Sequence, residues 1–248
     1  MNKAIPTFSI ITVTYNAEAT IEVTLRSVQQ QTYRQIEHII IDGGSKDNTL
    51  LIIERYKDSY LRFISEPDNG LYDAMNKGIR LATGTYLCFL NAGDTFHDAD
   101  TLEKMANTLP LTSNTEIPSI LYGETAIVNA DRQFLHMRRH KAPEVLTWKS
   151  FKQGMLVCHQ AFFVKRDLTE PYELQYKYSS DFDWCIRMMK KADVISNTHL
   201  ILIDYLEEGM TTRHHKASLL ERLRIMAKHY GWPTTLVMHL WFILRLLK

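Results

Sequence analysis

The first hundred residues alternate short β-branched runs with segments of helical periodicity, and this rhythm restricts the chain more than any other feature. Phe8 to Val13 (FSIITV) has the length of a buried strand, and Ala17 to Gln30 follows with Ile21, Leu25 and Val28 at helical spacing. The pattern repeats. His38 to Ile41 reads as a strand and Thr49 to Tyr56 as a helix capped by Asp47 or Asn48. Leu61 to Ser65 is a third strand, Leu71 to Ala82 a third helix and Tyr86 to Leu90 a fourth strand. Strands that are nearly continuous apolar runs, separated by helices, predict an α/β fold with a mostly parallel central sheet flanked by helices.

Polar residues gather just past the carboxyl ends of these strands: Thr14, Tyr15 and Asn16, then Asp42, then Glu66 to Asn69, then Asn91 and Asp94. Open α/β sheets bind ligands at that edge. Asn, Asp and Gly also make ordinary turns, but four loops at one edge favour a site. Past about residue 115 the alternation stops. Ile120 to Val128, Ala161 to Val164 and His199 to Tyr205 read as strands and Asp181 to Ala192 as a helix, which would complete the sheet and build a second wall of a cleft. With no linker or repeat, residues 1–212 read as one domain of two halves, 1–115 and 116–212. Residues 213–248 read as a C-terminal helical extension. Ala217 to His229 is amphipathic, and Leu236 to Leu247 is strongly apolar with Trp241 and Arg245. That last segment suits a membrane interface, the protein's own core or a second subunit.

Composition narrows the functions. The chain has 248 residues, 45% hydrophobic, with a formal net charge of +1, so it is neither disordered nor a basic nucleic-acid binder. Cys88, Cys158 and Cys185 are odd in number and lack a C-x-x-C pair, which suits a reducing compartment better than a disulfide framework or zinc ribbon. Neither a secretory leader nor a membrane-spanning run is expected. The sequence lacks G-x-G-x-x-G, the phosphate-binding G-x-x-x-x-G-K-[ST], G-x-S-x-G and H-E-x-x-H. Carboxylates and amides at the sheet edge remain. An acid after the second strand can accept from a base or ribose, an acid after the fourth can hold a hard divalent cation, and Asp181 or Asp183 across the cleft can serve as general base.

The segments SIITVTYN, IIIDGGSKDNT and SEPDNGLYDAMNKGIRLATGTYLCFLNAGD, with CHQAFFVKRDL, YSSDFDW and EEGMTT more weakly, resemble family 2 glycosyltransferases. These are inverting enzymes of the GT-A fold, and the likeness is strongest to bacterial members that build exopolysaccharides, colanic acid and O-antigen. The resemblance implies that Thr14, Tyr15 and Asn16 line the nucleotide pocket, that Asp42 reads the base, and that Asp73 and Asn76 support the sugar-diphosphate side. Asn91 to Asp94 stands where the family has its D-x-D metal motif, with only the last acid kept. This implies a divalent metal, Mg²⁺ or Mn²⁺, at Asp94 beside Asn91; the alternative is that Asp94 caps a turn and cationic side chains balance the diphosphate. Asp181 would be the base, with a helix-capping role, or Asp183 as base, left open. His159 and Gln160 would lie near the acceptor or diphosphate, as would Thr211 and Thr212 in a closing loop. Arg213, His214, His215 and Lys216 would bind phosphate or merely open a solvated helix. A Cys158/His159 nucleophile is disfavoured because adjacent residues rarely face each other productively.

The function so implied is sugar transfer from a nucleotide-diphosphate donor to a saccharide acceptor, lipid-linked as the resemblance implies, at the cytoplasmic face of the plasma membrane, with a homo-oligomer left open. A non-catalytic nucleotide- or saccharide-binding subunit is the alternative. A sugar nucleotidyltransferase is discouraged because no Gly-rich loop ending in a basic residue follows the first strand.

Overall fold

The computed structural model describes residues 5–110, 117–207 and 215–246. Four parallel strands form one half of the sheet: β1 (Phe8–Thr14), β2 (Ile36–Asp42), β3 (Leu61–Ser65) and β4 (Tyr86–Phe89), in spatial order β3-β2-β1-β4. Helices α1 (Ile21–Gln29), α2 (Thr49–Arg55) and α3 (Leu71–Leu81) make the crossovers. In α1 the buried residues are Ile21, Thr24, Leu25 and Val28, the stripe that a 3.6-residue period brings to one face. β1 and β4 are buried along their whole length, which explains their unbroken apolar sequence.

The second half is mixed in direction. β8 (Phe162–Lys165) runs antiparallel to β4, β6 (Ile120–Val128) antiparallel to β8, and β9 (Ile195–Leu206) parallel to β6. Two strands that the periodicity does not suggest complete it. The two-residue β5 (Thr95–Phe96) pairs with β9, and β7 (Phe134–Met137), exposed throughout, pairs with β6. The β5–β9 pairing bends the chain after β4 back across the sheet edge, so Asp94 meets the end of β9.

Helix α4 (Thr101–Asn107) follows β5, and α5 (Ser180–Lys191) precedes β9. Two C-terminal helices, α6 (His215–Tyr230) and α7 (Trp232–Leu246), are joined at Gly231. α6 buries Ile225 and Met226 in the main core, which also contains Phe89, Phe151, Phe162 and Trp184. The extension expected from sequence is thus packed into the domain. Among the described residues, no helix is long and apolar enough to cross a membrane.

One buried titratable group lies within the parallel sheet. His38 on β2 is buried beside the Thr12 hydroxyl, at 2.9 Å, and burial, opposed by Asp58, pushes its imidazole down from 6.5 to about 4. The folded state therefore holds His38 neutral where the unfolded chain takes up a proton. Its contribution is complete above pH 6.5 and is lost as pH falls toward 4. Denaturation measured across that window should show wild-type stability falling by up to about 3 kcal/mol more than that of His38→Gln. Parallel pH profiles for the two proteins would contradict the assignment.

Candidate active site

A cleft of about 1000 Å³ opens at the carboxyl ends of β1 and β4, and its opposite wall is made by the end of β9, the start of α5, the segment Cys158 to Gln160 and Arg222 of α6. Thr14, Tyr15 and Asn16 line it, as expected. Asn16 has a left-handed backbone (φ 47), a conformation that Asn tolerates better than most residues. The turn is held from both sides: the Asn16 N–H donates to Ser45 Oγ at 2.8 Å, and Asn16 Oδ1 accepts from the Lys46 N–H at 2.9 Å. Tyr15 is 61% exposed, and Thr14 Oγ1 is buried without a partner among the described residues.

Three residues expected in the pocket do not line the cleft. Asp42 is fully buried, and its carboxylate accepts from the Gly44 and Ser45 N–H groups (both 2.9 Å), from Ser45 Oγ and from Ser65 Oγ at 2.7 Å. It organises the β2–α2 turn, and a base could reach it only by displacing those donors. Asn76 spends its amide on the Tyr172 backbone, donating at 3.0 Å and accepting at 2.6 Å. Asp73 accepts from the Asn69 N–H at 3.0 Å, closing the turn before α3. A different carboxylate stands near Tyr15. A Cβ on Gly43 would lie 2.5 Å from Asp68 Oδ2 and 3.4 Å from the Tyr15 ring, so the missing side chain at position 43 makes room for Asp68.

Asn91 to Asp94 forms a turn in which the Asp94 N–H donates to the Asn91 carbonyl at 2.9 Å. Gly93 takes φ 103, which L side chains rarely adopt, and Thr24 Oγ1 clamps the turn, accepting from the Gly93 N–H and donating to the Asp94 carbonyl. The Asp94 carboxylate is buried and accepts one bond per oxygen, from the Leu206 N–H at 3.1 Å and from Gln160 Nε2 at 2.9 Å. Burial raises its pKa to about 6, against the opposing pull of those two donors and of the His159 and Arg132 charges. Asn91 Oδ1 is buried beside it without a partner among the described residues. No group of three or more His, Cys, Asp or Glu side chains that could hold a metal occurs among the described residues. A hard cation could still use the orphaned Asn91 oxygen and the Asp94 carboxylate, taking its other ligands from phosphate oxygens and water.

Asp181 faces this pair across the cleft. Its Oδ1 accepts from the Tyr72 hydroxyl at 3.1 Å and from the Phe182 N–H, and its Oδ2 lies 3.5 Å from His159 Nδ1. Burial pushes its pKa up, but His159, Arg222 and the Phe182 N–H outweigh that and hold it below the ordinary carboxylate value. Asp181 is therefore ionised at neutral pH and available to accept a proton. His159 Nε2 is buried without a partner among the described residues. Asp183 does not reach the cleft: it has no exposed surface and is held by Arg187 Nε at 2.7 Å, Lys228 Nζ at 3.0 Å and His229 Nε2 at 2.8 Å. Cys158 is no nucleophile, because burial pushes its thiol up to about 11.

Sequence reasoning missed Tyr72, Arg138, Tyr205 and Arg222, all of which line the cleft. Tyr72 lies inside a quoted motif but reads as a packing residue at helical spacing. Arg222 sits on a helix that looked like an appendage. Thr211, Thr212, Arg213 and His214 lie outside the described residues.

α6 also sets the position of α5. Glu221 accepts from the N–H groups of Lys177, Tyr178 and Ser179 (2.8, 2.8 and 2.9 Å), in the segment that leads into Asp181. Ser218 and Ser179 hydroxyls meet at 2.9 Å. Glu221→Gln places an N–H₂ group among these donors, and should cost about 2 kcal/mol of stability in chemical denaturation. Turnover should fall about tenfold through loss of alignment at Asp181. Unchanged stability and unchanged turnover would show that α6 does not position the site.

Comparison with known proteins agrees with this geometry. The family model for glycosyl transferase family 2 matches residues 9–172. A "PGL/p-HBAD biosynthesis glycosyltransferase" of Mycobacterium bovis is 34% identical over 213 residues, covering 83% of this chain and 79% of the relative. The Escherichia coli "UDP-Glc:alpha-D-GlcNAc-diphosphoundecaprenol beta-1,3-glucosyltransferase WfgD" is 27% identical, covering 75% and 71%. Among solved structures, S. aureus TarS 1–349 in complex with UDP-GlcNAc superposes with a TM-score of 0.67 at 19% identity, over 82% of this chain and 59% of that one. The mannosyltransferase PcManGT from Pyrobaculum calidifontis, in complex with GDP-Man and Mn²⁺, gives 0.61 at 16% identity, over 94% and 68%. The fold is GT-A, and the chain belongs to glycosyl transferase family 2 and is a glycosyltransferase.

Proposed function

We propose that this glycosyltransferase inverts configuration at the anomeric carbon as it moves a sugar from a nucleoside-diphosphate donor to a hydroxyl of a lipid-linked saccharide. The pathway we infer is bacterial surface polysaccharide or glycolipid biosynthesis. The observation that carries this reading is the pairing of an ionised Asp181 with Asn91 and Asp94 across one cleft. The nucleoside lies toward Thr14, Tyr15 and Asn16, with Asp68 as the carboxylate near that end. The diphosphate lies toward Asn91 and Asp94. Those two residues would hold a divalent cation, which neutralises charge developing on the departing diphosphate.

Asp181 accepts the proton of the acceptor hydroxyl as that oxygen bonds to the anomeric carbon. The bond from that carbon to the donor phosphate oxygen breaks on the opposite side, and its electron pair leaves with the nucleoside diphosphate. Tyr72 and His159 orient the carboxylate, and Gln160 steadies Asp94. The donor-bound structures of TarS and PcManGT support a nucleotide-sugar donor, and the Mn²⁺ of the latter supports a metal. The acceptor named for WfgD supports a lipid carrier. The exposed apolar face of α7 supports work at the inner face of the plasma membrane.

Thermal unfolding with UDP, GDP or dTDP, with and without Mn²⁺, tests the donor site, because a ligand of the native state raises its Tm. One nucleotide should stabilise the protein in a metal-dependent way, and Asp94→Asn should remove the metal-dependent part. Asp181→Asn should keep that nucleotide shift while turnover falls by about 10²- to 10⁴-fold. Full turnover in Asp181→Asn would eliminate it as the base.

A further inference from the structure

Two arginines line the cleft where its wall meets the C-terminal helices, and two more lie within electrostatic reach of the same histidine, His140. Arg138, just after β7, and Arg222, on α6, line the cleft. Arg138 is fixed by donating to the carbonyls of Leu156 at 3.0 Å and Met155 at 2.7 Å, neutral acceptors that leave its charge uncompensated. Arg222 Nε is buried without a hydrogen-bond partner among the described residues. Arg139 is exposed, and Arg245 near the end of α7 lies over the Trp241 ring, 5.3 Å from its centroid. His140 sits among them: burial first, then Arg138, Arg139, Arg245 and Arg222, lower its pKa. None of the four forms an ion pair with a carboxylate among the described residues, although Asp181 feels the Arg222 charge. The donor side has its own guanidinium, Arg132, which acts on Asp94.

Beside this basic cluster α7 is two-faced. Thr235, Met238 and Phe242 turn inward, Thr235 fully buried and the other two packed on the core. The opposite arc, Leu236, Val237, Leu240, Trp241, Ile243 and Leu244, is exposed and without charge. An exposed apolar surface of this extent marks an interaction site. With a basic margin leading into a catalytic cleft, its chemical complement is an amphiphile whose hydrocarbon lies against α7 and whose anionic phosphate reaches the arginines.

We propose that Arg138, Arg139, Arg222 and Arg245 form the binding site for the phosphate or diphosphate of the membrane-anchored acceptor, with α7 laid in the membrane interface beside it. The inference rests on the lipid-linked reading above and locates the group that reading leaves unplaced. Two charge-assisted contacts from planar guanidinium groups suit phosphate oxygens better than they suit a neutral sugar. The acceptor saccharide then extends from the arginines toward Asp181, and the donor diphosphate stays with Asn91 and Asp94.

The test is partitioning of the full chain onto three vesicle types: phosphatidylcholine alone, phosphatidylcholine carrying a polyprenyl diphosphate, and phosphatidylcholine with phosphatidylglycerol supplying the same total charge. Binding should be about tenfold stronger to the polyprenyl diphosphate vesicles than to the charge-matched ones. Arg222→Gln, and independently the exposed Arg139→Gln, should remove most of that preference while the nucleotide thermal shift stays intact, which also shows that each variant is folded. Equal binding to both anionic vesicles would reduce the cluster to a general membrane-charge sensor and overturn the proposal. So would loss of the nucleotide shift in Arg222→Gln with the lipid preference unchanged, which would assign that arginine to the donor. A concentration-dependent dimer that binds no vesicle would give the α7 face to a second copy and would also overturn it. Absence of any nucleotide shift in the wild type, by contrast, strikes the donor reading and leaves the vesicle result to stand on its own.

Discussion

Asp183 carries a negative charge with no exposed surface, and two cations, Arg187 and Lys228, and the His229 imidazole hold it there from two helices. Arg187 comes from its own helix, while Lys228 and His229 come from α6. Against the cost of burial, His229, Arg187 and Lys228 hold the carboxyl far below its ordinary value. A buried charge stripped of its partners costs several kcal/mol, so α6 cannot lift from α5 without a large penalty. That docking brings Glu221 to the three N–H groups ahead of α5 and Arg222 into the cleft. Asp181, in the first turn of α5, is aimed by a helix that follows it in sequence by more than a β-strand.

The cleft contains two carboxylates in opposed environments. Asp94 lies in the deeper one, where burial outweighs its two neutral hydrogen-bond donors and its pKa rises to about 6. A group so placed gains from a cation that replaces the lost solvation. Asp181 accepts from Tyr72 and lies beside His159 and Arg222, which keep it ionised. The separation suits a division of labour, one side chain for the diphosphate and its counter-charge, the other for the proton of the acceptor. Gln160 and His159 are adjacent in sequence and connect the two, Gln160 bonded to Asp94 and His159 next to Asp181.

The parallel half of the fold was legible because burial on both faces writes itself as apolar runs, as in β1, and because the crossover helices carry a regular apolar stripe. β5 and β7 were not legible. Two residues cannot show a period, and β7 is exposed on both faces, so it has no apolar alternation. The first part of β9, Ile195 to Thr198, is too polar to read as a strand and is held by pairing with β6. At the site, Thr14, Tyr15, Asn16, Asn91, Asp94, His159, Gln160 and Asp181 all line one cleft, a placement their positions past the strand ends suggest. Asp42 lies outside the cleft lining, buried against the Gly44 and Ser45 N–H groups and the Ser45 and Ser65 hydroxyls, a set of partners that no residue pattern reveals. Arg222 and Tyr72 approach Asp181 from distant parts of the chain, and only the docking of α6 and α3 brings them there.

The central claim is that Asp181 activates the acceptor on the face of the sugar opposite the departing diphosphate. The most direct measurement is the anomeric configuration of the new glycosidic bond, read by NMR from the product formed with a donor of known configuration. Inversion is the expected result. Retention of the donor's configuration would contradict the account, because a single base on the far side of the cleft cannot produce it.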